Sequence, residues 1–305
     1  MEAAIEVTDL QKTYHGRKAG EVRAVDGVSF RVETGEFFGI LGPNGAGKTT
    51  TLEIVEGLRR PDAGEVRLLG QSPWPHSPRL SQRMGVQLQA SSFFEFLTVR
   101  EQIETFAELY GAGKARAAEM LEQVGLSDKA ATRCRKLSGG QQQRLSIACA
   151  LVGDPELVFL DEPTAALDPQ ARRNLWDLMR SINDEGRTVV LTTHYMEEAE
   201  ALCDRVAIMD WGKILAVDSP AGLIRDLDAA TRVTVAAGQL SDARLAELAE
   251  GATVTSDDET VVFETRDPRA LLTALAADGA LEGLAVGTAN LEDVFLHVTG
   301  REWRE

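Results

Sequence analysis

The chain has 305 residues, 44% hydrophobic and 26% charged, which suits a globular protein with one large core or two domains. Its formal net charge is −16 and no stretch is rich in Lys and Arg, so a nucleic-acid partner, which demands a basic stripe, is not expected. No apolar run approaches the roughly 18–20 residues that cross a bilayer, so the chain is expected to be soluble.

From the N-terminus, MEAAIEVTDL lacks the basic and apolar regions of a signal peptide. The runs AIEVTDL, VSFRV and FFGIL, with turn residues between them, predict short strands within residues 1–40. GPNGAGKTT (42–50) comes next, and a helical pattern from Thr50 is closed by Gly57 and Pro61. Helical periodicity dominates 98–150, in TVREQIETFAELY, ARAAEMLEQVGL and the stretch after LSGGQQQR. LVFL (157–160) and TVVLTT (188–193) read as buried strands. Short apolar runs alternating with helices predict a parallel sheet covered on both faces. After about Leu227 the texture changes to RVTVAAG, a helical SDARLAELAE, a hairpin through Asp257-Asp258 and a helical PRALLTALAA, predicting a small α+β domain over 228–305. Its last helix sets Leu291, Val294, Phe295 and Val298 on one face, between a capping Asn290 and a terminating Gly300. Cys134, Cys149 and Cys203 form no CxxC pair and read as reduced, mostly buried thiols.

The chemistry concentrates in four places. In GPNGAGKTT the G-x-x-x-x-G-K-T spacing lets backbone N–H groups wrap a phosphate, because Gly42, Gly45 and Gly47 tolerate dihedrals that side chains forbid. The following helix aims its positive end at the same anion, so Lys48 would reach the β- and γ-phosphates and the Thr49 hydroxyl would bind Mg²⁺. An ordinary glycine-rich turn is the alternative; the strand–turn–helix setting argues against it. In LVFLDEP, Asp161 stands at a strand's carboxyl end, where open α/β sheets place ligands, and one carboxylate suffices for Mg²⁺. Pro163 ends that strand and restricts Glu162 to an extended conformation, which would turn it toward an attacking water; a solvated surface glutamate is the alternative. His194 ends TVVLTT within reach of a γ-phosphate, although a lone strand-end histidine is more often structural; His15, His76 and His297 have no such context. Finally, LSGGQQQRLSIACA (137–150) opens a helix with two glycines, each costing about 1 kcal/mol relative to alanine. That start does not favour stability.

Taken together, these motifs resemble those of the nucleotide-binding subunits of ABC transporters, over roughly residues 3–225. Gly42, Pro43, Asn44, Gly45, Ala46, Gly47, Lys48, Thr49 and Thr50 match the Walker A loop, and LVFLDEP the Walker B strand. Ser138, Gly139, Gly140 and Gln141 match the signature, ALDP with Asp168 the D-loop, and His194 the switch histidine. Tyr14 matches the aromatic that stacks on adenine. Gln89 matches the Q-loop glutamine; since VQLQ lacks the proline common before it, Gln87 is a minor rival.

The resemblance implies an α/β P-loop NTPase of ABC type over 1–227. It would have a mostly parallel core sheet, an antiparallel β-subdomain and a helical subdomain at about 89–153. ATP and Mg²⁺ are the implied cofactors, with Thr49, Gln89 and Asp161 around the metal, Glu162 as general base, and Gln89 and His194 assisting. Two copies would pack head to tail, each signature offering the Ser138 hydroxyl, the Gly139 and Gly140 N–H groups and a helix N-terminus to its partner's ATP. Asp168 would lie at that dimer interface.

The membrane-spanning part would be a separate polytopic permease, with the chain cytoplasmic and peripheral on the inner face of the membrane. Phe93, Phe94 and Phe96 in SSFFEFLTV could fill the core of the helical subdomain, but all three cannot easily point inward, so at least one is expected in a groove for a permease helix. THYMEEAEALCDRVAIMDWGKILAVDSP and LEDVFLHVTGRE resemble the drug- and antibiotic-resistance exporters. The alternative is a soluble ABC-type ATPase of DNA repair or the ribosome. The tandem domains, coiled-coil or zinc insertions and basic arms usual there are not seen.

Overall fold

The computed structural model describes residues 3–16, 20–87, 93–94, 96–227 and 229–300. The chain divides into two compact units, the first running to Pro220 and the second starting at Ala221, one short helix before the expected junction at 227.

The first unit opens with β1 (Ala3–Gly16) and β2 (Gly20–Glu33), paired antiparallel along their length. Both outrun the short strands expected from AIEVTDL and VSFRV. Each supplies the other's backbone partners through the polar TYHG end, across several register shifts. β3 (Phe37–Leu41) is buried throughout and leads through the glycine loop into α1 (Lys48–Val55). β4 (Ala63–Leu68) pairs with β1, completing an antiparallel sheet of order β2-β1-β4.

After α2 (Pro78–Ser81) and β5 (Met84–Gln87) comes a helical segment of α3 (Val99–Tyr110), α4 (Gly113–Gln123) and α5 (Gly139–Leu151). α3 starts in a capping box, Thr98 with Glu101, which satisfies N–H groups that a helix start leaves unpaired. β6 (Leu157–Asp161), α6 (Pro169–Asp184), β7 (Thr188–Thr193), α7 (Met196–Leu202), β8 (Arg205–Asp210) and β9 (Lys213–Asp218) finish the unit. The core sheet has the order β5-β6-β7-β3-β8-β9, parallel except for β9. β6 and β7, like β3, are buried at every position, so their apolar runs do not alternate. Phe38, Ile40, Leu52, Phe159 and Val190 form the centre of the core. The carboxyl ends of β3, β6 and β7 all come out at one edge, and the site is built there.

The second unit holds α8 (Pro220–Asp226), β10 (Thr231–Ala236), α9 (Asp242–Leu248), β11 (Thr253–Ser256), β12 (Thr260–Thr265), α10 (Pro268–Ala277), β13 (Ala285–Gly287) and α11 (Leu291–Thr299). Its antiparallel sheet runs β11-β12-β10-β13, and Val233, Val235, Phe263, Leu271 and Leu275 make a small core. The expected hairpin at Asp257-Asp258 joins β11 to β12. On α11, Leu291, Val294 and Phe295 are buried between the Asn290 cap and Gly300, as expected. Val298 is not: in the helix's final turn it is 37% exposed, because the buried stripe stops before the helix does.

Candidate active site

The loop between β3 and α1 needs its glycines for measurable reasons. At Gly47 φ is +106°, and a Cβ there would lie 2.2 Å from the Ala24 carbonyl oxygen. A Cβ on Gly42 would meet the Met209 carbonyl at 2.2 Å. Asn44 and Gly45 are exposed at the loop's tip, while Pro43 and Ala46 are buried. Lys48, only 4% exposed, donates from Nζ to the carbonyls of Gly42 (2.8 Å) and Pro43 (3.2 Å). Its ammonium is also 3.2 Å from Glu162 Oε1. Burial pushes the Lys48 pKa down, and the charges of Glu162 and Asp161 oppose that push. Thr49 and Thr50 are half-buried at the head of α1.

Asp161 is the last residue of β6, and its Oδ1 accepts from Thr49 Oγ1 (3.3 Å) and, closely, from Thr192 Oγ1. Burial raises its pKa, although both hydroxyls favour the ionised form. A buried carboxylate beside a hydroxyl is a hard oxygen pair that a divalent cation stabilises, so Thr49 and Asp161 fit Mg²⁺. Gln89, the other expected ligand, lies outside the described residues. Gln87 is the buried last residue of β5.

Glu162 corrects an expectation. It is not extended before Pro163 but left-handed, with φ +46°. Its N–H donates to both the carbonyl and the hydroxyl of Thr192, each at 3.1 Å, and these contacts outweigh the local preference. The turn sends its carboxylate between Lys48 and His194, whose Nδ1 lies 3.2 Å from Oε2. The His194 ring packs on Tyr195, centroids 4.0 Å apart, and the Arg172 guanidinium covers Tyr195 at 4.0 Å. Five expected residues, Lys48, Thr49, Asp161, Glu162 and His194, thus meet in one cluster.

Thr192 was not foreseen. Its signal was available, a hydroxyl near the carboxyl end of a fully buried strand, two residues before His194.

The signature forms a separate site. Ser138 caps α5: its Oγ accepts from Gln141 N–H (3.4 Å) while its own N–H donates to Gln141 Oε1 (3.0 Å). Ser138, Gly139, Gly140, Gln141, Arg144 and Asp168 help line a cavity of about 220 Å³ to which the Walker A loop contributes nothing. Asp168 caps α6 through Ala171 N–H (2.9 Å). A Cβ on Gly139 or Gly140 would make only ordinary contacts, none closer than 3.5 Å, so packing within the chain does not require these glycines. Tyr14, on β1, lies under the Arg59 guanidinium, 5.3 Å from the ring centre.

Comparison with known proteins places these geometries in a family. Residues 25–165 match the family model described as ABC transporter. The chain is 41% identical over 312 residues to Nod factor export ATP-binding protein I of Ralstonia nicotianae, covering 99% of this chain and 95% of that protein. It is likewise 41% identical to the protein of that name from Paraburkholderia xenovorans, covering 100% and 99%. Among solved structures, a dimeric ATP-binding cassette in a post-hydrolysis state with ADP and Pi superposes with a TM-score of 0.65 at 29% identity, over 70% of this chain and 98% of that one. An ATP-binding subunit of an ABC transporter gives 0.64 at 28%, over 73% and 92%. The chain therefore belongs to the ABC transporter family, as the ATP-binding and ATP-hydrolysing subunit of an exporter, grouped with the Nod factor export ATP-binding proteins I.

Proposed function

We propose that two copies of this chain close head to tail on two ATP molecules, each signature completing the site built by its partner's Walker A loop. The observation behind this reading is the second anion cradle. The chain carries donors at Ser138, Gly139 and Gly140, none of them lining a cavity with Lys48. The likeness to a dimeric cassette supports it.

In such a site Lys48 balances triphosphate charge, and Mg²⁺, held by Thr49 and Asp161, would neutralise the rest. Glu162 takes a proton from the attacking water, and His194, at hydrogen-bonding distance from Glu162, meets the γ-phosphate. Gln89 senses metal and water, and Tyr14 stacks on adenine. Loss of the γ-phosphate removes the anion that joins the two cradles, and the dimer opens. Opening and closing pass to a separate permease, with the chain on the cytoplasmic face of the membrane. Phe93, Phe94, Phe96 and Leu97 line a cavity of about 530 Å³, with Phe94 57% and Phe96 73% exposed, and we assign this as the docking groove. The relatives' names favour a Nod factor-like cargo; none of those compared points to drug or antibiotic resistance.

The test is a mixed dimer of Lys48→Ala and Ser138→Arg protomers, each inactive as a homodimer. Acting in trans, the two leave one intact site, as does wild type mixed with Lys48→Ala. Turnover in both mixtures is expected. Turnover in the wild-type control alone overturns the trans assignment.

A further inference from the structure

The contact between Arg59 and Tyr14 is not needed for either strand or helix, yet Arg59 is held to it by two hydrogen bonds to Glu53. The chain leaves α1 and turns back, so that Arg59 N–H donates to the Glu53 carbonyl at 3.0 Å. Its Nε donates to Glu53 Oε2 at 2.6 Å. The guanidinium, fixed in this way, lies over the Tyr14 ring at 5.3 Å, within the range of a cation–π contact. Next to Tyr14, Asp62 ties down β1 by accepting from Thr13 N–H (2.7 Å) and Lys12 Nζ (2.6 Å). Residues 59–62 therefore clamp the segment 12–14 from one side. An aromatic ring has two faces. Arg59 takes one of Tyr14's, so a flat ligand would stack on the other.

We infer that Arg59 is a positioning residue for base recognition: anchored by Glu53 at the far end of α1, it holds Tyr14 as a preorganised platform for the adenine ring. This rests on the reading of Tyr14 as the adenine platform. α1 starts at Lys48, which serves the phosphates, and ends near Glu53, which holds the base platform through Arg59. One short helix thus sets the spacing between the two halves of the nucleotide. Ordering the ring before binding spares the ligand that cost.

The test compares the affinities of ATP and inorganic tripolyphosphate, each with Mg²⁺, by calorimetry on the full chain. Arg59→Ala should weaken ATP about two- to fivefold, the value of a partly exposed cation–π contact, and leave tripolyphosphate unchanged. Arg59→Lys, which keeps the charge, should recover part of the loss. Tyr14→Ala should weaken ATP about fivefold or more, and adding Arg59→Ala to it should cost nothing further. Equal weakening of ATP and tripolyphosphate by Arg59→Ala, or a full Arg59→Ala effect without Tyr14, overturns the role of Arg59 alone. If Tyr14→Ala itself leaves the preference for ATP over tripolyphosphate intact, the platform reading falls, and the role of Arg59 with it.

Discussion

Glu56, in the turn that closes α1, is a carboxyl only 8% exposed, and burial, with the charges of Asp161 and Glu53 adding to it, pushes its pKa to about 9. The ordinary value is 4.5, so between these limits the folded chain binds the proton that the unfolded chain has released. Stability therefore falls as pH rises from about 4.5 toward about 9. Glu56→Gln keeps the shape of the protonated acid and removes the titration. Its melting temperature should match wild type near pH 4.5 and exceed it at pH 8 by at least about 2–4 °C, the shift that about 1 kcal/mol produces in a domain the size of the first unit. A constant difference across that range would show that Glu56 stays ionised in the fold. Nothing in the sequence separates Glu56 from Glu53, because burial decides and burial is a property of the fold. Glu162 taught a related lesson. Its place beside a strand-end aspartate was legible, but its backbone was not, since the Thr192 contacts that set φ at +46° come from a strand thirty residues away.

Elements with a strong local signature were legible, and those set by a partner were not. α3, α10 and α11 fall on the helical runs TVREQIETFAELY, PRALLTALAA and LEDVFLHVTG, and α11 begins at the expected Asn290 cap. The full reach of β1 and β2 was hidden, because the polar ends of both gain order only from each other. The packing of α6 on α7 was also invisible, and it reaches His194, the proposed switch residue. Trp176 Nε1 on α6 donates to Glu198 Oε1 on α7 at 3.1 Å, and the Glu198 side chain is fully buried. One turn earlier on α6, Arg172 covers Tyr195, against which His194 packs. Glu198→Ala removes the acceptor and strands the indole N–H, so urea denaturation should show a loss of about 1–3 kcal/mol. Glu198→Gln, whose carbonyl still accepts, should lose less. Equal losses from the two would mean that the carboxylate's charge, not the Trp176 hydrogen bond, joins these helices.

Across the whole molecule, charge and exposed apolar surface point to different kinds of contact. A formal charge of −16 gives no attraction to an anionic leaflet, and among the described residues no helix is long and apolar enough to cross a membrane. The proposed docking on a permease would supply membrane association, and among the described residues Phe93, Phe94 and Phe96 form an exposed aromatic cluster suited to it. Phe96, 73% exposed, sits under the Arg135 guanidinium at 5.7 Å, and Phe94 is 57% exposed beside half-buried Phe93. The sequence showed three phenylalanines in four positions but not which faced out; the fold assigns Phe94 and Phe96 to the surface. Their replacement by serine should cost little stability, since exposed substitutions usually fall within about 0.5 kcal/mol. The double variant Phe94→Ser with Phe96→Ser should fold and keep the ATPase rate of the purified chain to within about twofold. In cells carrying the permease, its recovery in the membrane fraction should drop about tenfold, as expected when the aromatic anchors of an interface are removed. Membrane recovery equal to wild type, with transport intact, would move the docking site elsewhere. A collapse in soluble yield would return both rings to the core of the helical segment.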